Sequence, residues 1–98
     1  MEFLVHIKLR WADGMPQAEI DRVSREERAH AAELIKEGHL VRMWRVPCRF
    51  ENWGLWRAKD PTELHKVITS LPAYPYMHDI DVLPLARHQV DPTPYEPA

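Results

Sequence analysis

Apolar residues repeat with two different periods along this chain, and the order of those periods leaves few folds open. A period of two predicts half-buried strands, and a period near 3.6 predicts amphipathic helices. Strand-like segments cover roughly residues 3–11, 40–46, 50–57 and 78–86, and helix-like segments run from Pro16 to Gly38 and from Asp60 to Leu71. This order predicts an α+β, ferredoxin-like βαββαβ fold, with a four-stranded antiparallel sheet that carries both helices on one face.

Length and composition limit the size and the setting of this fold. The 98 residues suffice for one domain, which we expect over residues 1–88, followed by a proline-rich C-terminal tail over residues 89–98. The 13 basic and 15 acidic residues are interspersed, so we expect neither a nucleic acid nor a membrane surface as partner. A single cysteine and the lack of an apolar run of ~20 residues predict a cytoplasmic protein without disulfides or membrane spans.

The first helix carries a carboxylate on its apolar side. Glu27 lies near the middle of a stripe formed by Ile20, Val23, Ala31 and Leu34. Loss of hydration raises the pKa of such a carboxyl group toward neutrality, which suits a general base that takes and returns a proton. A structural ion pair with a neighbouring arginine is the alternative. His30, one turn further along, could line the same pocket or stay in solvent.

The two central strand-like runs predict a hairpin that carries a second group of polar residues. A tight turn would place Val46 opposite Phe50. In that register Trp44 lies opposite Asn52, and Arg42 shares their face of the sheet. A guanidinium, an indole and an amide together suit an anionic small molecule, although plain surface packing is the alternative. A shift of one residue would exchange the two faces.

Other common site types have little support in the sequence. The six histidines lack the close spacing of metal ligands, so we expect no metal. The three glycines are too far apart for a phosphate-binding loop, and we expect no cofactor. Hydrophobic residues make up 45% of the chain and include four tryptophans, more than one small domain readily buries, which predicts self-association.

Several motifs, in the same order, make the chain similar to the muconolactone isomerase family. They are F-x-V-x-I near the N-terminus, Glu27 within EERAHAAEL, KEG at the helix end, M-W-R at residues 43–45, Asn52, LPAYPYM at residues 71–77, and Arg87-His88. The resemblance covers roughly Phe3 to His88. It implies a cofactor-free isomerase of aromatic catabolism, in the 3-oxoadipate pathway, that converts muconolactone into 3-oxoadipate enol-lactone. It also implies dimeric α+β barrels that assemble into a larger homo-oligomer, commonly a decamer.

The resemblance further suggests roles for individual residues. Glu27 would move a proton between C4 and C2 of the lactone through a dienolate, while Asn52 and Trp44 would line the lactone site. Arg42 would hold the carboxylate of the substrate, an assignment that rests on the hairpin register. Phe50 stands where a tyrosine is common in the family, which leaves a chloro- or methyl-substituted lactone, with dehalogenation, as an alternative. Another small-molecule isomerase or cyclase, or a non-enzymatic binding or assembly module, stays open as well.

Overall fold

A computed structural model describes residues 1–92 of the chain. The elements are β1 (Glu2–Leu9), α1 (Gln17–Lys36), β2 (Leu40–Arg45), β3 (Glu51–Arg57), α2 (Pro61–Thr69) and β4 (Met77–Leu85). All strand pairs are antiparallel, and the order across the sheet is β2-β3-β1-β4. The predicted βαββαβ order and the ferredoxin-like class are confirmed.

The hydrophobic core lies between the two helices and one face of the sheet. Its buried cluster joins alternate residues of β1, one residue of β3 and residues of both helices: Phe3, Val5, Ile7, Trp56, Leu34, Leu64 and Ile68. Since residues of α1 and α2 meet the same side of β1, both helices cover one face, as predicted. We call this the helix face and the opposite side the open face.

Local signals set the start of α2 and the end of α1. The Asp60 carboxylate accepts a hydrogen bond from the backbone N–H of Glu63 at 2.8 Å, and Pro61 occupies the first turn. Both features match the expected N-terminal capping pattern. Helix α1 ends at Lys36, and Gly38 follows with a φ of 82°, a conformation that glycine adopts without steric cost.

The turn between β2 and β3 is one residue longer than the sequence analysis assumed. The Val46 N–H donates to the carbonyl of Glu51 at 3.2 Å, so residues 47–50 form the turn and Phe50 belongs to it. Cys48 takes a φ of 64° within this turn. The predicted pairing of Val46 with Phe50 was therefore wrong.

This longer turn moves every side chain of β2 relative to β3. Arg45, and not Trp44, lies opposite Asn52, while Trp44 lies opposite Trp53. Because strand residues alternate between faces, Trp44 and Arg42 point to the open face and Arg45 points to the helix face. The prediction that Trp44 and Arg42 share a face with Asn52 was wrong for this reason.

The open face carries apolar side chains that no helix of residues 1–92 covers. Leu55, Leu4 and Leu83 lie side by side across β3, β1 and β4, and Leu83 is 50% exposed. Beside this row the His6 ring stacks on Trp53 with 4.4 Å between ring centroids. Such a surface is typical of a sheet that meets another layer.

The segment after β4 bears on the predicted tail. Residues 86–92 form neither helix nor strand, and residues 93–98 of the predicted tail lie outside the described residues. The division into a domain at 1–88 and a tail at 89–98 stays a prediction. No helix within residues 1–92 is both long and apolar enough to cross a membrane.

Candidate active site

A cavity of about 400 Å³ lies between α1 and the helix face of the sheet. Its volume falls in the range of small-molecule sites, roughly 300–1,000 Å³. Its wall is mostly apolar, with contributions from β1, β2, β3, α1 and the segment before β4. The polar residues in the wall are Ser24, Glu27, Arg28, Arg45 and Asn52. An apolar cavity with a few polar groups can hold and orient a small anionic molecule.

Glu27 reaches this cavity from the apolar side of α1. Its Oε2 accepts a hydrogen bond from the backbone N–H of Ala73 at 3.2 Å, and its Oε1 is buried without a hydrogen-bond partner. Burial raises the pKa of the Glu27 carboxyl group above its ordinary value, and the Ala73 hydrogen bond offsets part of that rise. Within residues 1–92 Glu27 forms no ion pair, so the structural alternative of a salt bridge with an arginine has no support.

Unpartnered polar atoms are concentrated at the cavity. In residues 1–92, four buried side-chain N or O atoms have no hydrogen-bond partner. Three of them, Glu27 Oε1, Asn52 Oδ1 and Trp56 Nε1, belong to residues that line this cavity. An unsatisfied buried polar group costs about 1–3 kcal/mol, and native proteins keep few of them. Their grouping around one cavity gives its wall hydrogen-bonding atoms that a bound molecule, water or ligand, can satisfy.

Two arginines give the cavity a positive character. Arg28 of α1 and Arg45 of β2 line it, and both side chains are exposed. Within the part of the chain that the structure describes, neither forms an ion pair. A guanidinium presents a planar fork of N–H groups that matches a carboxylate, so either arginine can hold an anionic substituent of a ligand.

The predicted site residues divide into two groups. Glu27, Asn52 and Phe50 line the cavity together. Arg42 does not line it, and its guanidinium lies 5.2 Å from the centroid of the Trp44 ring. Trp44 instead lines a smaller cavity of about 260 Å³ at the end of the hairpin, which Asn52 and Phe50 also border. The His30 Nε2 lies 2.9 Å from the Ser70 hydroxyl oxygen, outside the main cavity.

Three residues of the cavity were missed by the sequence analysis. Arg45 would have been found with the correct hairpin register. Arg28 follows Glu27 directly in the helix, where periodicity assigns it to the solvent side. Trp56 fits the pattern of an apolar strand residue, and nothing in the sequence marks its indole N–H as unpartnered.

The described residues contain no cluster suited to a metal ion. Within residues 1–92, no three His, Cys, Asp or Glu side chains come close enough together to act as ligands.

Comparison with known proteins gives consistent matches over nearly the whole chain. The family model described as muconolactone delta-isomerase matches residues 1–91. A muconolactone delta-isomerase of Cupriavidus pinatubonensis is 34% identical over 88 residues, which cover 90% of this chain and 95% of that protein. Muconolactone delta-isomerase 1 of Acinetobacter lwoffii is 33% identical, covering 90% of this chain and 91% of the relative.

A solved structure agrees with these sequence matches. The crystal structure of a muconolactone isomerase superposes with a TM-score of 0.86 at 28% sequence identity. The match covers 95% of this chain and 96% of that chain. The similarity thus includes the elements that build the cavity.

Proposed function

Because the chain belongs to the muconolactone delta-isomerase family, we propose that it is a cofactor-free isomerase that converts muconolactone into 3-oxoadipate enol-lactone. The Glu27 carboxylate carries this proposal. One of its oxygens is anchored on the Ala73 N–H, and the other is buried, unpartnered and part of the cavity wall. A fixed, poorly hydrated carboxylate can both take and return a proton, as an isomerisation of this kind requires.

The proposed reaction moves one proton and one double bond. Glu27 takes the proton from C4 of the lactone, and the electrons of the broken C–H bond spread over the ring onto the lactone carbonyl oxygen. The resulting dienolate receives the same proton at C2, so the ring double bond moves from C2–C3 to C3–C4. Glu27 ends in its starting state, and no oxidant or second substrate is consumed. Burial favours the reaction because it raises the basicity of the carboxylate.

The carboxylate of the substrate needs a cation in the cavity. We assign this role to Arg45, since the hairpin register places it on the helix face opposite Asn52. The position of Arg42 over Trp44, outside the cavity wall, argues against Arg42 in this role. Arg28, on the helix side of the cavity, supplies a second positive charge.

Proton NMR in D₂O tests the reaction and the base together. We expect wild-type protein to convert muconolactone into the enol-lactone, and Glu27→Gln to be about 10²- to 10⁴-fold slower with its fold intact. Glu26→Gln is the matched control, because Glu26 is an exposed neighbour paired with Arg22 at 2.8 Å. Full activity of Glu27→Gln would reject Glu27 as the base. No turnover by the wild type would reject muconolactone as the substrate.

A substituted lactone is a second candidate, and Phe50 is the observation that favours it. The Phe50 ring lines the cavity and packs against Trp11 with 5.8 Å between ring centroids. This wall offers apolar contact to a chloro or methyl substituent and has no hydroxyl group there. If the chlorine is on the side-chain carbon attached to C4, the dienolate can expel chloride: the C–Cl bond breaks, a double bond forms between C4 and that carbon, and the proton on Glu27 passes to solvent. A higher kcat/KM for chloro- or methylmuconolactone than for muconolactone, with or without chloride release, would favour this candidate.

Assembly and location complete the proposal. The apolar row of Leu55, Leu4 and Leu83 supports a homo-oligomer in which open faces meet as dimeric α+β barrels, with a decamer as the larger assembly. We place the enzyme in the cytoplasm, since its one cysteine, Cys48, is free. Light scattering and fractionation of the native host test these two points.

A further inference from the structure

We propose that the indole N–H of Trp56 is a catalytic hydrogen-bond donor that stabilises the negative charge on the lactone carbonyl oxygen. This inference rests on the proposed isomerase function and adds a residue to its site. It assigns Trp56 a chemical role in addition to its place in the hydrophobic core.

The first argument is the state of the indole nitrogen. Trp56 is 1% exposed, and its Nε1 has no hydrogen-bond partner within residues 1–92. A buried tryptophan normally finds an acceptor for this N–H group, because a buried donor without a partner destabilises the fold. Trp56 also lines the cavity that contains Glu27. An oxygen atom of a bound lactone would supply the missing acceptor.

The second argument is the way in which the strand positions this donor. Gly54 precedes Trp56 by two residues and lies on the same face of β3. A Cβ atom on Gly54 would lie 2.5 Å from Trp56 Nε1 and 3.1 Å from its Cδ1. The missing side chain therefore leaves space in which the N–H edge of the indole rests against the sheet.

Met43 connects this edge with the cavity. The Met43 Cε lies 3.5 Å from the position that a Cβ atom on Gly54 would take. Met43 also lines the cavity, as Trp56 does. Methionine has three rotatable side-chain bonds and adapts easily to a ligand. The N–H edge thus lies close to Met43, a side chain of the cavity wall that can move aside for the lactone ring.

The third argument is the chemical need of the reaction. Proton loss places negative charge on the lactone oxygen, and donors aimed at this oxygen lower the barrier. Phe50 has no hydroxyl group to give, and the arginines suit the substrate carboxylate. An indole N–H donates, never accepts and does not titrate, so it serves an oxyanion at any working pH. The Trp56 N–H is then a neutral donor of the site, whereas the unpartnered atom of Asn52 is Oδ1, an acceptor.

Trp56→Phe removes the donor and keeps an aromatic ring. We expect kcat to fall about 10²-fold with a smaller change of KM, because the donor acts most strongly on the charged transition state. Trp53→Phe is the control, since Trp53 lies on the open face and should keep its activity. An unchanged kcat in Trp56→Phe beside an active wild type overturns the role of Trp56 and leaves the isomerase proposal intact. An inactive wild type overturns the isomerase proposal itself.

A second measurement covers the case in which Trp56→Phe fails to fold. In ¹⁵N-labelled wild-type protein, the Trp56 indole N–H signal can be assigned from its proximity to the Gly54 α-protons. The probe is the saturated analogue of muconolactone, which keeps the lactone carbonyl and the carboxylate but has no ring double bond. We expect this signal to move downfield on binding while the Trp53 signal stays in place. Binding without a shift of the Trp56 signal overturns the inference.

Discussion

Glu27 occupies a position where ionisation costs free energy. Its folded-state pKa lies above the ordinary carboxyl value, so the folded protein binds the proton more tightly than the unfolded chain does. The stabilisation from this proton is complete below the ordinary pKa, near 4.3, and is lost as the pH rises through the raised value. Whenever Glu27 is ionised, the protein therefore carries a charge that its fold disfavours, a common cost of a reactive site.

Because ionisation of Glu27 costs free energy in the fold, we expect Glu27→Gln to stabilise the protein at alkaline pH. The amide is uncharged at every pH and can still accept the hydrogen bond from Ala73. We expect the free energy of unfolding of the variant to exceed that of the wild type at roughly pH 8, and the difference to shrink toward pH 4. Urea unfolding at both pH values measures this, with Glu26→Gln as the control. A variant less stable than the wild type at pH 8 would show that the carboxylate stabilises the fold.

Gly54 lies against Trp56, the proposed hydrogen-bond donor of the site. A methyl group there would lie 2.5 Å from Trp56 Nε1, so the indole must move or the strand must bend. We expect Gly54→Ala to lower the free energy of unfolding by about 1–3 kcal/mol, as overpacking usually does. In Trp56→Phe the same substitution should cost less, since the smaller ring leaves room. A double-mutant cycle in urea measures the coupling, and strict additivity would contradict a steric origin.

At the scale of elements, the hairpin register decides which arginine reaches the cavity. The turn at residues 47–50 places Arg45 on the helix face and Arg42 on the open face. We expect Arg45→Gln to raise KM for the lactone about 10-fold or more, as loss of a charged hydrogen bond typically does. Arg42→Gln should change KM much less. Steady-state kinetics with both variants compares the two registers directly, and the reverse ranking would support the tighter turn.

The same hairpin shows which features of the fold sequence patterns can predict and which they cannot. Short-range signals were sufficient where one element decides the outcome, as in the start of α2 at Asp60 and the placement of Glu27 by helical periodicity. The register of β2 depends on a single extra residue in the turn between β2 and β3. Cys48 in this turn has a positive φ, a conformation that the sequence would normally signal with a glycine. Because of this extra residue, Trp44 and Arg42 lie on the open face and not on the face of Asn52.

Contacts between distant elements set the remaining limit of prediction. The unpartnered N–H of Trp56 results from three-dimensional packing around Gly54 and Met43. The hydrogen bond from Ala73 to Glu27 joins residues 46 positions apart. No local pattern of residue types encodes either feature. The candidate base could therefore be found from the sequence, while its anchor and the proposed second donor required the fold.

At the scale of the whole molecule, the open face is the proposed contact between copies of the chain. Leu83 is 50% exposed and Trp44 is 44% exposed, on a sheet surface that no helix of residues 1–92 covers. We expect wild-type protein to sediment as an oligomer, and Leu83→Lys to shift it toward the 11.6 kDa monomer, because a buried unpaired charge disfavours the contact. Analytical ultracentrifugation makes the comparison.

A matched surface variant separates this effect from a general change of solubility. Ile35 is 59% exposed on α1, away from the open face. Ile35→Lys should leave the oligomer as it is in the wild type. Equal masses for Leu83→Lys and the wild type would place the interface elsewhere on the molecule.

The anchor of Glu27 has a consequence for the evolution of this chain. Ala73 holds the carboxylate through a backbone N–H, a group that every residue except proline possesses. Sequence drift among small residues at position 73 therefore leaves the anchor in place, whereas a side-chain anchor would be lost with its first unsuitable mutation. Mutations in the cavity wall can therefore change the substrate preference without displacing Glu27, because the placement of the carboxylate does not depend on the side chain of the residue that holds it.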